Sequence, residues 1–200
     1  QEIGGFGFKK LLLLKLKDIK DIFKRKNLHR FNEIMADYFY WTIQKIHRDY
    51  NDDASNIWKD KQSSALITRR FLEFKGVGIK IASMSANILA REFKISMKDY
   101  LCIDISPDVH AKRVFIRVGL ISKNASNEEL IYCARELNPD YPGIFDLSVW
   151  KIGRNWCHAR KPECKKCYLN KNSGLLILRY QEIINLLFVV TNSSICDIIK

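Results

Sequence analysis

Proline and glycine are scarce, with 4 and 9 among 200 residues. Short strands joined by tight turns consume both. The shortage argues against a turn-rich all-β chain and favours a helical one. Long apolar runs are also missing. Residues 11–14 are four leucines in a row, far short of the roughly 20 residues a membrane span needs. Residues 175–190 are apolar but broken by Arg179, Gln181, Glu182 and Asn185, which reads as a buried or amphipathic helix. Residues 1–8 show no charged leader ahead of an apolar stretch. No internal repeat or low-complexity tract is present. The expectation is a cytosolic chain that spans no membrane, in which the six cysteines are poor candidates for disulfides. Acid is short relative to base: 22 Asp and Glu face 34 Lys and Arg, a net charge of +12. Such a surplus favours a polyanionic partner, either nucleic acid or an anionic membrane surface. The basic residues are spread along the whole chain, so charge alone marks no site.

What is present suffices for a packed core: 47% of residues are hydrophobic and 12% aromatic. Helical spacing of apolar residues runs through 8–26 (Leu13, Leu16, Ile19, Ile22, Phe23) and 30–49 (Phe31, Ile34, Met35, Tyr38, Phe39, Trp41, Ile43, Ile46). The second face is wide and aromatic and is expected to face the core. Residues 50–56 read as a polar loop. Ser63 or Ser64 is placed to cap a helix through Phe74, and another helix is expected from Ile79 to about Phe93. Residues 94–107 look irregular. Asp108 is placed to cap a helix through Val118, and further helices are expected at 126–137 and 145–156, separated by a loop at 138–143. The expectation is an all-α chain of about eight helices without strands.

Three segments carry chemistry. In Lys75-Gly76-Val77-Gly78-Ile79-Lys80, two glycines bracket an aliphatic residue between two helices. Glycine permits a tight turn with positive φ, Val77 can turn inward, and amides from Gly78 onward can point out of a helix N-terminus toward a phosphate oxygen. An ordinary packing joint with a glycine C-cap would look the same. Ala82, Ser83, Ser85 and Ala86 keep the following helix slim. In Pro107-Asp108-Val109-His110-Ala111-Lys112-Arg113-Val114, Asp108 is either an N-cap or a working carboxylate, with Asp104 as the second choice. Cys157, Cys164 and Cys167 form C-x6-C-x2-C with basic residues between them, a spacing that suits a metal. Zinc with His158 as a fourth ligand is one reading, although adjacent residues make awkward joint ligands. Cys102 and Cys133 read as core residues, and Cys196 shows no ligand spacing.

Taken together these segments resemble the helix-hairpin-helix DNA glycosylases of the endonuclease III superfamily. F-K-G-V-G-I-K-I-A-S is similar to that family's L-P-G-V-G-x-K-T-A hairpin, with Lys75 in place of proline. P-D-V-H-A-K-R-V is similar to its V-D-T/V-H-x-x-R-V, and C-H-A-R-K-P-E-C-K-K-C to its iron–sulfur loop. The likeness is strongest from 71 to 167. It implies a two-lobed helical glycosylase fold, with one lobe over 1–100 ending in the hairpin. A second lobe would cover 101–172 with the carboxylate and the cysteine loop, leaving a divergent tail at 173–200.

The likeness also implies roles. Lys80 would be a Schiff-base nucleophile and Asp108 the carboxylate that stabilises positive charge on the sugar. Gly76, Val77 and Gly78 would clamp phosphate, and Arg160 and Lys161 would touch DNA. Cys157, Cys164 and Cys167 would ligate a 4Fe-4S cluster. The implied partner is double-stranded DNA carrying a damaged, oxidised base, met by a monomer at the nucleoid. A DNA-binding remnant without turnover is the alternative, and a monofunctional adenine-type glycosylase is disfavoured by Lys80. The family's fourth cysteine is expected at 173, where Ser173 stands. A three-cysteine cluster, a substitute ligand in Ser173 or Cys196, and a lost cluster are the readings. An insertion around 96–105 accounts for the long Lys80–Asp108 spacing. Nothing matches the family's N-terminal helix with its inserting glutamine, nor its sequence after about Asn170. A chain truncated at its start and divergent or frameshifted at its end is the expectation.

Overall fold

The computed structural model describes residues 7–167 and Leu169. Residues Ser173 and Cys196, the apolar stretch at 175–190 and the start at Gln1 lie outside the described residues. Within them the chain is all-helical, with eight α-helices and no strand.

The N-terminal pattern at 8–26 divides into α1 (Phe8–Leu12) and α2 (Leu16–Lys26). Helix α3 (Asn32–Tyr50) packs on both and buries Ala36, Ile43 and Tyr50. The expectation that its whole aromatic face is buried is corrected: Phe31, Ile34 and Trp41 are 53%, 51% and 46% exposed. A helix packed on one side buries only a narrow stripe, and α3 has α1 and α2 on one flank with the 74–77 turn further along. The polar loop after it holds a 3-10 turn, Ala54–Ile57.

Ser63 caps α4 (Ser64–Leu72), its hydroxyl accepting from Leu66 N at 3.3 Å. The helix stops short of Phe74, because a turn leads at once into α5 (Ile79–Arg91). Ala82, Ser83 and Ala86 on α5 are buried, so α4 and α5 lie close together. Residues 94–107 form no helix but anchor the chain through buried Met97, Ile103 and Ile105.

Helices α6 (Val109–Arg117), α7 (Asn127–Leu137) and α8 (Asp146–Asn155) enclose one core of Ile105, Val114, Phe115, Leu130, Ala134, Phe145, Val149 and Ile152. Ser126 starts α7 with a reciprocal capping box to Glu129. A separate core of Ile67, Ala86, Leu89, Met97 and Ile103 sits under α4 and α5. The chain passes from one core to the other between Ile103 and Ile105, and Asp104 lies at that crossing. Cys102 and Cys133 are half-buried rather than fully in the core. Burial pushes the Cys133 thiol up to about 11. Among the described residues no helix is long and apolar enough to cross a membrane.

Candidate nucleic-acid interface and active site

The 74–77 turn closes with Val77 N donating to Phe74 O at 3.1 Å. Gly76 occupies its third position with φ +84, the left-handed value of a type II turn. Tyr38 of α3 lies directly on it: a Cβ built at Gly76 would stand 2.3 Å from the Tyr38 ring. Two independent requirements therefore demand glycine here. Gly78 does not use that freedom. It is the N-cap of α5 at φ −96, and a Cβ there would meet nothing within 4 Å. Its side is open to solvent. Val77 is half-buried against Tyr50, Ile57 and Phe74, which turns the backbone on either side outward. Lys75 Nζ stands 5.7 Å from the centre of the exposed Trp41 ring.

No side chain caps α5, and its first helical bond is Ala82 N to Gly78 O at 3.0 Å. The amides of residues 79–81 thus face out from a helix N-terminus, beside exposed Gly78 and Lys80. This end of α5 presents backbone donors and the positive end of the helix dipole on an accessible surface.

Lys80 shares a face of α5 with Ser83 and Asn87, three and seven residues on. Seven residues bring a helix back to nearly the same side, about 10 Å further along. Asn87 is fully buried and its amide reaches Gly143 O (2.6 Å) and, more weakly, Asp146 Oδ2 (3.4 Å). Asp146 in turn binds Ser106, two residues before Asp108. The Lys80 face of α5 therefore looks toward the segment that leads into α6. No hydrogen bond or ion pair joins Lys80 to Asp108 among the described residues.

Asp108 caps α6: its Oδ1 accepts from His110 N at 2.9 Å and Ala111 N at 2.7 Å. Both of its side-chain hydrogen bonds among the described residues use Oδ1, which leaves Oδ2 for a ligand. The cap and the working carboxylate are thus compatible roles for one side chain. Asp104 is engaged elsewhere. Buried at 7% exposure, it takes a two-pronged pair from Arg135, at 2.7 and 2.8 Å.

The cysteine loop is tied to α6 by two arginines that the sequence reading did not single out. Arg113 donates to Cys157 O (2.6 Å), Gly153 O (2.9 Å) and His110 Nδ1 (2.9 Å), which makes that ring nitrogen an acceptor. Arg117 donates to His158 O (2.7 Å), Ala159 O (2.9 Å) and Cys157 Sγ (3.3 Å). Arg160 and Lys161 follow directly and are exposed. Cys164 opens the 3-10 turn Cys164–Lys166, and Cys167 closes it. A 4Fe-4S cluster takes four cysteine thiolates. The described residues supply three cysteines in the motif, and no group of three or more His, Cys, Asp or Glu gathers in metal-binding reach. As placed, this donor set does not fit the cluster, and no chemistry is derived through it.

Other polar residues missed in the sequence are Asn87, Ser106, Tyr141 and Asp146. Only Asn87 left a hint, as an amide in the slim, small-residue face of α5. Asp146 reads in sequence as one more acid in a helix's first turn.

No protein-family model matches this sequence, and no curated protein matches it. Solved structures do resemble it. One is a trapped covalent intermediate of endonuclease III with DNA, an estranged-adenine complex, at TM-score 0.58 and 18% identity. The match covers 80% of this chain and 65% of that one. A second is a non-covalent endonuclease III–DNA complex, at TM-score 0.59 and 18% identity, covering 82% of this chain and 67% of that one. The chain thus spans about two thirds of those proteins' length and has the endonuclease III helical fold.

Proposed function

We propose that this chain, built on the endonuclease III fold, is a DNA glycosylase with AP-lyase activity that acts on an oxidised base in duplex DNA. The observation that carries this reading is the shared face of α5. Lys80 lies at its exposed end, and Asn87, further along, is tied to the segment that presents Asp108. The lobe boundary falls near residue 101, with this face looking across it.

In this reading the uncapped amides of residues 79–81, next to Gly76, Val77 and open Gly78, hold a backbone phosphate without reading sequence. Lys75, Arg160 and Lys161 add charge along the duplex. The damaged base leaves the stack. Positive charge builds on the sugar as the bond from C1′ to the base breaks, and Asp108 stabilises it. The bonding pair departs with the base, which takes up a proton. Lys80, as a neutral amine, gives its lone pair to C1′ and loses a proton. Opening of the sugar ring leaves an imine. Loss of a C2′ proton then expels the 3′ phosphate and cuts the strand. The protein acts as a monomer, and its place of work is the nucleoid.

Borohydride reduction of a reaction with abasic-site duplex tests this directly. The native chain should form a covalent adduct. Lys80→Gln should lose it at unchanged duplex affinity, and Asp108→Asn should slow base release by about 100-fold or more. Binding without adduct formation by the native chain would instead mark a DNA-binding module without turnover. Undiminished trapping in Lys80→Gln would move the nucleophile elsewhere.

A further inference from the structure

The half-buried carboxylate of Asp146 has no part in that chemistry, yet the polar groups around Asp108 converge on it. Asp146 is the first residue of α8. Its Oδ1 accepts from Ser106 N at 2.9 Å and its Oδ2 from Ser106 Oγ at 2.8 Å. Ser106 is 3% exposed, and its carbonyl accepts from Asp108 N at 2.8 Å. One carboxylate therefore grips Ser106 by backbone and side chain, and Ser106 grips the backbone of Asp108.

The support behind it is rigid. Asn87 Nδ2 donates to Gly143 O at 2.6 Å, and Asn87 Oδ1 accepts from the Tyr141 hydroxyl at 2.5 Å. Gly143 N donates to Ile103 O at 2.6 Å, and a Cβ at Gly143 would stand 2.7 Å from that same oxygen. Burial raises the Tyr141 hydroxyl to about 12, so it stays a donor through neutral pH. This frame locks α5, the 103–108 segment and the start of α8 together. It also fixes how far the Lys80 face of α5 stands from Asp108.

We propose that Asp146 is a positioning residue for Asp108, and that its ionisation state is transmitted through Ser106. The proposal rests on the reading of Lys80 and Asp108 as a working pair. The groups facing Asp146 are few. Asp108 faces it from the start of α6, Tyr141 from the loop before α8, and Asn87 from α5. Arg91, one turn past Asn87, acts on Tyr141, and Asp104, two residues before Ser106, is paired with Arg135.

Burial, foremost, and the charge of Asp108 hold the Asp146 carboxyl above the usual range, against hydrogen bonds from Ser106 and Asn87. Ionised, it accepts both Ser106 donors. Protonated, it must donate to Ser106 Oγ, whose own proton turns away, and the negative charge beside Asp108 is lost. A carboxyl raised in the folded state contributes stability at acid pH that fades as pH rises through its folded value. Asp146 therefore works against stability when it is ionised, which suits a group kept for position and charge rather than for holding the fold.

The test follows the Asp146 carboxyl carbon and the Ser106 and Asp108 amides of the full chain by NMR from acid to neutral pH. It also follows single-turnover borohydride trapping across the same range. The two amides should titrate with Asp146, above the ordinary carboxylate range, and Asp146→Asn should abolish their response. Trapping by Asp146→Asn should fall about 10-fold to 100-fold at unchanged DNA affinity, and it should lose the part of the acid limb that follows Asp146. Ser106→Ala removes only one of the two bonds. It serves if Asp146→Asn does not fold, and it should weaken the Asp108 amide response while Asp146 still titrates.

Amide responses that persist in Asp146→Asn, or an unchanged trapping profile, would overturn the proposal. Absence of trapping by the native chain would remove the Lys80 reading, while the NMR arm would still decide whether Asp146 controls the Asp108 segment.

Discussion

Gly76 and Gly78 look alike in sequence and do different things. Gly76 combines a left-handed backbone with the Tyr38 ring where its Cβ would be. Gly76→Ala should cost about 2–4 kcal/mol, from left-handed strain and overpacking together, read as a lowered urea midpoint. Gly78 has ordinary φ and open space beside it. Gly78→Ala should lower the midpoint only slightly, since alanine fits this φ but caps a helix less well than glycine. If the open side is where phosphate approaches, the same substitution should weaken duplex binding. Equal affinity for the native chain and Gly78→Ala would move the phosphate away from that amide. The two carboxylates of the 104–108 segment part in the same way. Asp104 is spent on Arg135, and Asp108 keeps one oxygen uncommitted while capping its helix.

At the scale of elements, α6 is the organising piece. Its first residues are capped by Asp108, and its arginines hold the cysteine loop one side chain after another. Gly153 of α8 lets α6 approach: a Cβ there would stand 2.6 Å from His110 Cβ. The loop carrying Arg160 and Lys161 is therefore fixed relative to Asp108 by arginine-to-carbonyl bonds. Arg117→Ala removes those to His158 and Ala159. It should speed tryptic cleavage after Arg160, the site that proline does not block, and leave the unfolding midpoint nearly unchanged, since these groups are exposed. Cleavage at the native rate would show that the loop is held by something else. The sequence marks α6 and the loop separately but not the bond between them. An arginine inside a V-H-A-K-R-V motif reads as a basic residue facing a polyanion, and only packing shows it turned onto carbonyls some forty residues later.

Over the whole molecule the net charge of +12 and the uncapped α5 terminus both suit the proposed duplex partner. Duplex affinity should fall with salt, its logarithm losing about 0.9 per phosphate neutralised for each tenfold rise. Lys75→Ala should reduce that slope by about one phosphate's worth, with no change of sequence preference. A salt-independent affinity would argue against a backbone grip.

The helices, most of their ends, the hairpin and the cap at Asp108 were legible in the chain by itself. Each depends on local chemistry: apolar spacing, a capping side chain, or a glycine pair between two helices. The exposed half of α3 was not legible, because burial depends on what packs against a helix and not on its own pattern. Nor was the Asn87–Asp146–Ser106 frame. Its members lie on α5, the segment before α6 and the start of α8, and hydrogen bonds across 40 or 59 positions leave no mark on local sequence. Sequence thus singled out the residues proposed to carry the chemistry, and tertiary packing decided how they are held. A side chain's type is written in the chain, but its partners are chosen by the fold.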